Sequence, residues 1–383
     1  MTGKKRIAVI FGGQSSEHEV SRVSAESVVK NINKDKYDVV LIGITKDGRW
    51  LNYDGPLEKL AGGEWQALAE KNMGTSAASR ALPEDASYAD NREMYCEAEA
   101  ARSIFSNAGA ELGAKGIDVV FPVLHGCNGE DGTVQGLLEL AGVPYVGPGV
   151  LASALGMDKV YSKIVFEKEE IPQGKYLVCT RKQMERDSDS IAKQVEGILA
   201  YPCFIKPSNA GSSVGVGKAH DRDELIESLF HALKYDRKVL VEEFIDGREV
   251  ECAVLGNDDP IASTVGEVVP CNEFYDYRAK YIENSSKIII PANLPEKTIS
   301  EIRDYAVRAF KALDCAGLSR VDFFVHKETG KVYINEINTL PGFTSISMYP
   351  KLWEASGIPY GELIERLIDL AVERFEDNKR VLE

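Results

Sequence analysis

Near the end of the chain, three oxygen-bearing side chains and one guanidinium are spaced so that they can act together. Asp322 lies in the run SRVDFF, and Glu336 and Asn338 lie two residues apart in NEIN. Two strands joined by the turn KETG are expected here, Ser319–His326 and Val332–Asn338, and side chains two apart on a strand share a face. With an odd number of residues in the turn, Asp322 falls across from Glu336, and Arg320 across from Asn338. A few hard oxygen ligands on one face suit Mg²⁺, which takes the rest of its shell from phosphate and water. The bland alternative is a solvated polar face on an edge hairpin. The loop TLPGFTS follows at once, with Gly342 and small hydroxyls, and favours a site.

A second candidate is FIKPSNAGSSVGVGK, where Lys206 ends a strand and a Gly/Ser loop follows. Successive backbone N–H groups in such a loop can cradle phosphate. It is not a P-loop, because Ser212 stands where the first glycine of G-x-x-x-x-G-K belongs and Ala219 where a hydroxyl should follow the lysine. The third, GGQSSEHE, sits at the carboxyl end of the first expected strand, a common ligand position in open α/β sheets. Glu17 within it reads either as a ligand residue or as a plain acid in the first turn of a helix. The fourth, EFYDYRAKY, has aromatics with Arg278 and Lys280 and reads either as a lid over an anion or as a packed surface loop.

The elements that must position these groups follow from hydrophobic period. RIAVIF reads as a buried strand, Gly12 and Gly13 break it, and Ala25, Val28, Val29 and Ile32 then recur on one helical face. A strand at Tyr37–Ile44 completes a βαβ unit of a parallel sheet. Another buried strand is expected at Ile117–Leu124, followed by a helix bearing Val134, Leu137, Leu138 and Ala141 and closed by Gly142 and Pro144. Residues from about 54 to 115 read as helices and loops decorating this first domain. Beyond Gly149, helices at Met157–Glu167 and Glu224–Tyr235 alternate with strands at Cys203–Lys206 and Val239–Phe244. A helix at Ile299–Leu313 precedes the hairpin, and a last amphipathic helix carries Leu363, Leu367 and Leu370. The expected organisation is an α/β unit over 1–150, then α+β units over 151–245 and 246–383, the last with a mobile loop at about 271–290.

Bulk properties narrow the function. The chain has 383 residues with 60 acidic against 45 basic side chains, a formal charge of -15. A field of that sign repels phosphate at long range, which argues against nucleic-acid or anionic-membrane binding. A nucleotide must then be held by a few local lysines. The 7 cysteines are scattered without a CxxC pair, as expected of reduced thiols outside a zinc site or disulfide framework. The basic start MTGKKRIAVIFGG has too short an apolar run for a signal peptide. A soluble, cytoplasmic protein is expected.

Taken in order, GGQSSEHEVS, HGCNGEDG, ALGMDK, IKPSNAGSSVG, EEFIDGRE, EFYDYRAKY, SRVDFF and NEINTLPGFTS resemble the D-alanine–D-alanine ligases across nearly the whole chain. Each segment is modest alone; together in one order they are specific. The resemblance implies an N-terminal α/β domain and a two-lobed ATP-grasp with nucleotide between the lobes. It implies ATP as co-substrate and two magnesium ions, replaceable by Mn²⁺, on Asp322, Glu336 and Asn338. It implies that Lys159 and Lys206 contact phosphates with Ser213 nearby, that Glu242, Glu243, Phe244 and Ile245 form the adenine segment, and that Glu249 holds the ribose. Glu17 and His125 belong to the first D-alanine, Ser212 and Tyr281 close the mobile loop, and Lys280 meets the transferred phosphate. Arg320 and the Gly342 amide face the oxyanion, and Ser347 takes the second carboxylate. A homodimer is also implied.

Substrate choice follows from the same resemblance. Tyr281 matches members that make the amide rather than the D-lactate ester, and Met348 stands where D-serine-preferring members tend to carry Arg. D-alanine is therefore expected as the second substrate, with D-serine the rival. Ile346 departs from members reading THS or SHS, and Cys127 occupies a variable position. A silent nucleotide-binding protein would be expected to have lost Asp322, Glu336, Asn338, Lys206 or Arg320, and all five are present.

Overall fold

A computed structural model describes residues 3–77, 116–211, 213–269 and 287–379, with side chains described outside 72–77. Ser212, Lys280 and Tyr281, with the whole of EFYDYRAKY, lie outside the described residues.

The first sheet has the order β3-β2-β1-β4, made from β1 (Lys5–Gly12), β2 (Tyr37–Ile44), β3 (Trp50–Tyr53) and β4 (Val119–Val123). β1 runs parallel to both β2 and β4, as the strand–glycine–helix–strand order requires. The helix His18–Asn31 buries Ala25, Val28 and Val29. The helix Thr133–Ala141 ends at Gly142 in the left-handed conformation, where glycine carries no Cβ penalty. Helices at Glu58–Gly62 and Trp65–Ala77 follow β3.

The second sheet, β5-β8-β6-β7, joins β5 (Tyr176–Thr180), β6 (Cys203–Pro207), β7 (Gly217–Ala219) and β8 (Lys238–Glu243). The third, β11-β10-β9-β12-β13, joins β9 (Gly247–Gly256), β10 (Ile261–Val269), β11 (Lys287–Ile289), β12 (Gly317–His326) and β13 (Val332–Asn338). Part of the expected mobile loop is thus the edge strand β11, paired with β10. Neither β9 nor β10 was legible as a strand. In β9, Glu249 and Glu251 line a cavity while Val250 and Cys252 are buried, so charge interrupts the apolar run.

Two expectations need correction. The helix expected at Met157–Glu167 runs Lys159–Lys168, and a separate helix, Val150–Met157, precedes it, with Asp158 in extended backbone between them. Asp158 caps the second by accepting from the Val160 and Tyr161 amides, the role that favours Asp at a helix start. In the hairpin, Asp322 does pair with Glu336 and Arg320 with Asn338, but by another route. His326 and Lys331 face each other across the turn, leaving an even number of residues, 327–330. The register then shifts between Asp322 and Phe323, so that Phe323 faces Ile334. Asn335 is the extra residue of a β-bulge, and a bulge re-aims side chains.

The final helix, Tyr360–Asp377, buries Leu363, Ile364, Leu367 and Ile368 in one core with Ile7, Val9 and Phe11 of β1. Each such side chain contributes roughly 1.5–3 kcal/mol. Glu365 adds contacts of 2.9 Å from Asn33 and 2.7 Å from Lys36. The C-terminal helices therefore hold the first sheet against the third, and this brings the Glu17 turn opposite the hairpin. Among the described residues no helix is long and apolar enough to cross a membrane.

Candidate active site

At one end of the site, lysines are set by carboxylates from other elements. Lys206 on β6 places Nζ 2.7 Å from Glu242 of β8 and donates to Asn335 Oδ1 at 3.1 Å. The other oxygen of Glu242 is 2.6 Å from Lys163 Nζ. Burial opposes ionisation of Glu242, yet Lys163 and Lys206 outweigh it and bring the carboxyl down to about 2. Burial would likewise lower Lys206, but Glu242 and Glu336 hold it above its ordinary value. Lys159 donates to the Ala210 carbonyl at 2.9 Å and lies 3.4 Å from Glu336. Asp158 fixes the start of this helix against the Gly/Ser loop. It accepts from Ser208 at 2.6 Å, Asn209 at 3.2 Å and Lys238 at 2.5 Å.

The hairpin face is not solvated. Arg320 donates through two nitrogens to the two oxygens of Asp322, each at 2.7 Å, and its Nε lies 2.9 Å from Glu251. The Arg320 and Asp322 side chains are only 16% and 14% exposed. Burial works against the guanidinium charge, but Asp322 and Glu251 keep it firmly protonated. Among the described residues no three His, Cys, Asp or Glu cluster as a closed metal cage. Two carboxylates and an amide, with no thiolate or imidazole, fit a hard divalent cation that completes its shell from phosphate. Asp322, Glu336 and Asn338 are the residues that would hold it.

At the other end, backbone and hydroxyl groups do the holding. Glu17 is buried at the N-cap position of its helix, facing the cavity. A Cβ at Gly126 would come within 2.8 Å of its Oε2, and one at Gly211 within 3.0 Å. Gly126 also has φ +74, so both its conformation and its surroundings require glycine. His125 Nδ1 is 3.1 Å from the Leu340 carbonyl and 3.4 Å from Glu130. Burial would depress His125, but Glu130 and Glu17 raise it above its ordinary value. Ser347 Oγ accepts from the Thr344 amide at 3.0 Å and lies 3.0 Å from where a Gly342 Cβ would sit. Ser347 occupies the N-cap of Met348–Ala355, and Met348 is buried.

One cavity of about 1190 Å³ joins the two ends. Every sequence-predicted site residue among the described ones lines it, except Asp322, which Arg320 engages. Phe204 and Phe244 contribute rings 6.1 Å apart, with Lys218 Nζ 4.9 Å from the Phe244 centroid. Sequence reasoning missed Asp158, Lys163, Glu130, Glu251 and Asn335. Only Lys163 carried a usable signal, one helical turn beyond Lys159.

Known proteins share this sequence and fold. The family model for the D-ala D-ala ligase N-terminus matches residues 6–148, and that for the C-terminus matches 165–369. A D-alanine–D-alanine ligase of Acetivibrio thermocellus is 66% identical over 99% of this chain and 98% of its own. One from Ruminiclostridium cellulolyticum is 64% identical over 98% of each. Among solved structures, the VanG D-Ala:D-Ser ligase of Enterococcus faecalis superposes with a TM-score of 0.79 at 39% identity, covering 96% of this chain and 100% of that one. The D-alanine–D-alanine ligase of Coxiella burnetii follows at 0.76 and 34%, covering 98% and 95%. With its fold and both halves of its sequence in agreement, the chain belongs to the D-alanine–D-alanine ligase family of ATP-dependent ligases.

Proposed function

We propose that this chain joins two D-alanines into the dipeptide for peptidoglycan synthesis in the cytoplasm, spending one ATP on an acyl-phosphate intermediate. The convergence of Lys159, Lys206, Arg320, Glu336 and Glu17 on one cavity carries the reading. A carboxylate is too electron-rich for attack by an amine, so it must first accept the γ-phosphoryl group. Lys159 and Lys206 orient the triphosphate, whose transfer is chiefly a matter of positioning and charge. Magnesium on Asp322, Glu336 and Asn338, two ions or Mn²⁺ in their place, supplies charge neutralisation when bound. Adenine lies along Glu242–Ile245, with Glu249 at the ribose.

Glu17 takes the ammonium of the first D-alanine, with His125 beside it. The second D-alanine attacks as a free amine, and the tetrahedral oxyanion faces Arg320 and the Gly342 amide, one such donor being worth roughly 3 kcal/mol; its collapse breaks the acyl C–O bond, and phosphate leaves with the proton of the amine. Ser347 and the helix N-terminus behind it bind the second carboxylate. Lys280 meets the transferred phosphate, and Tyr281 with Ser212 closes the site against water, which would hydrolyse the acyl phosphate. The three sheets correspond to the substrate domain and the two ATP-grasp lobes, and the working form is a homodimer.

Incubation with ATP, Mg²⁺, D-alanine and D-serine together, read by product mass, tests this. D-alanyl-D-alanine with phosphate release is expected. A mixed D-alanyl-D-serine product as the main species would overturn the amine assignment, and phosphate release only with an L-amino acid would overturn the family activity. Light scattering of the purified chain tests the dimer.

A further inference from the structure

We infer that Lys163 is a positioning residue of the nucleotide site: as the fixed counter-ion of buried Glu242, it frees Lys206 to turn toward a phosphate. The inference rests on the nucleotide reading above.

Glu242 bridges two lysines, at 2.6 Å from Lys163 and 2.7 Å from Lys206, and its side chain is only 9% exposed. The two lysines differ in their freedom to move. The Lys163 side chain is 3% exposed and lies on the helix that Asp158 anchors. Its carbonyl accepts from Gln173 at 2.9 Å, and its ammonium sits 5.5 Å from the Tyr176 ring centroid. Both lysines line the cavity, but Lys206, beside the Gly/Ser loop, is the more open of the two at 16% exposed.

A buried carboxylate stripped of its only counter-ion is expensive. Were Lys206 the sole partner of Glu242, a triphosphate would have to break that pair to recruit it. With Lys163 in place, Glu242 stays neutralised while Lys206 exchanges one anion for another. The cost of recruitment falls, and it shows in nucleotide affinity rather than in amino-acid affinity.

Calorimetric titration of the full chain with a non-hydrolysable ATP analogue and Mg²⁺, with no amino acid present, tests this directly. Lys163→Met is expected to weaken binding by roughly 10- to 100-fold, the scale of one charged hydrogen bond, while Lys163→Arg recovers most of it. In the E242Q background the same Lys163→Met change is expected to have little effect, because no carboxylate then competes for Lys206. Unchanged affinity in Lys163→Met, or an equal loss with and without the Glu242 carboxylate, would overturn the inference. Should Lys163→Met fail to fold, K163M/E242Q against E242Q alone decides it: equal affinities support the inference, and a further loss refutes it. Because no amino acid is present, a wild-type protein that binds nucleotide but makes no dipeptide sinks the ligase reading and leaves this one standing.

Discussion

The two ends of the cavity are built on different principles. At the proposed nucleotide end, Lys159, Lys163 and Lys206 are held by Glu336 and Glu242 from other elements, and Arg320 by Asp322 of its own strand and Glu251 of the neighbouring one. At the proposed amino-acid end, glycine backbone packs close to Glu17, a carbonyl and Glu130 flank His125, and a backbone amide donates to Ser347. Lysine–carboxylate pairs can trade partners when an anion arrives, whereas close backbone approaches cannot, and these dominate the first and second ends respectively. The first end is therefore suited to exchange and the second to fixed recognition.

Substitutions can break that contrast. Arg320→Met should have the largest effect, because it strands Asp322 and Glu251 together. Losing one partner of a buried pair costs about 3–5 kcal/mol, and losing an oxyanion donor costs roughly 10²–10³ in kcat. Urea unfolding and steady-state rates would read both; a stable variant with normal kcat would mean that Arg320 is neither clasp nor donor.

Acid probes the same end. The Glu242 carboxyl is held at about 2 in the fold, below its ordinary value of roughly 4.3. A depressed carboxyl stabilises above its unfolded value, and the contribution is lost as pH falls toward the folded one. Stability should drop between those two values by on the order of a few kcal/mol, and E242Q should flatten that part of the curve.

At the fixed end, Gly126→Ala forces a side chain into left-handed backbone, at roughly 1–2 kcal/mol, and presses on Glu17 at 2.8 Å. The KM for the first D-alanine should rise while that for ATP holds; a change in ATP alone would erase the distinction between the ends. Ser347→Ala should be mildest. It removes one hydroxyl partner, about 1 kcal/mol, and should raise the KM for the second D-alanine several-fold with kcat nearly intact.

Much of this was legible in the chain. The strand–glycine–helix–strand opening and the apolar face of the first helix follow from local period, and the structure has them where expected. The acids of the hairpin were legible too, because alternation along a strand is a property of consecutive residues. Less legible were the strands that line the cavity, since a strand with one wet, charged face loses the apolar run that marks it. The helix break at Asp158 was missed because its cause lies partly in Ser208, Asn209 and Lys238, far along the chain.

Sequence alone determined which residue types exist, which lie on one face of one element, and the order of the motifs. Tertiary structure decided the rest: the bulge at Asn335 that brings Asp322 across from Glu336, the sharing of Glu242 between Lys163 and Lys206, and the closeness of Gly211 to Glu17. Side-chain direction is set by a backbone's local repeat, but a counter-ion is chosen by whatever the packing of distant elements leaves within about 3 Å of a buried charge.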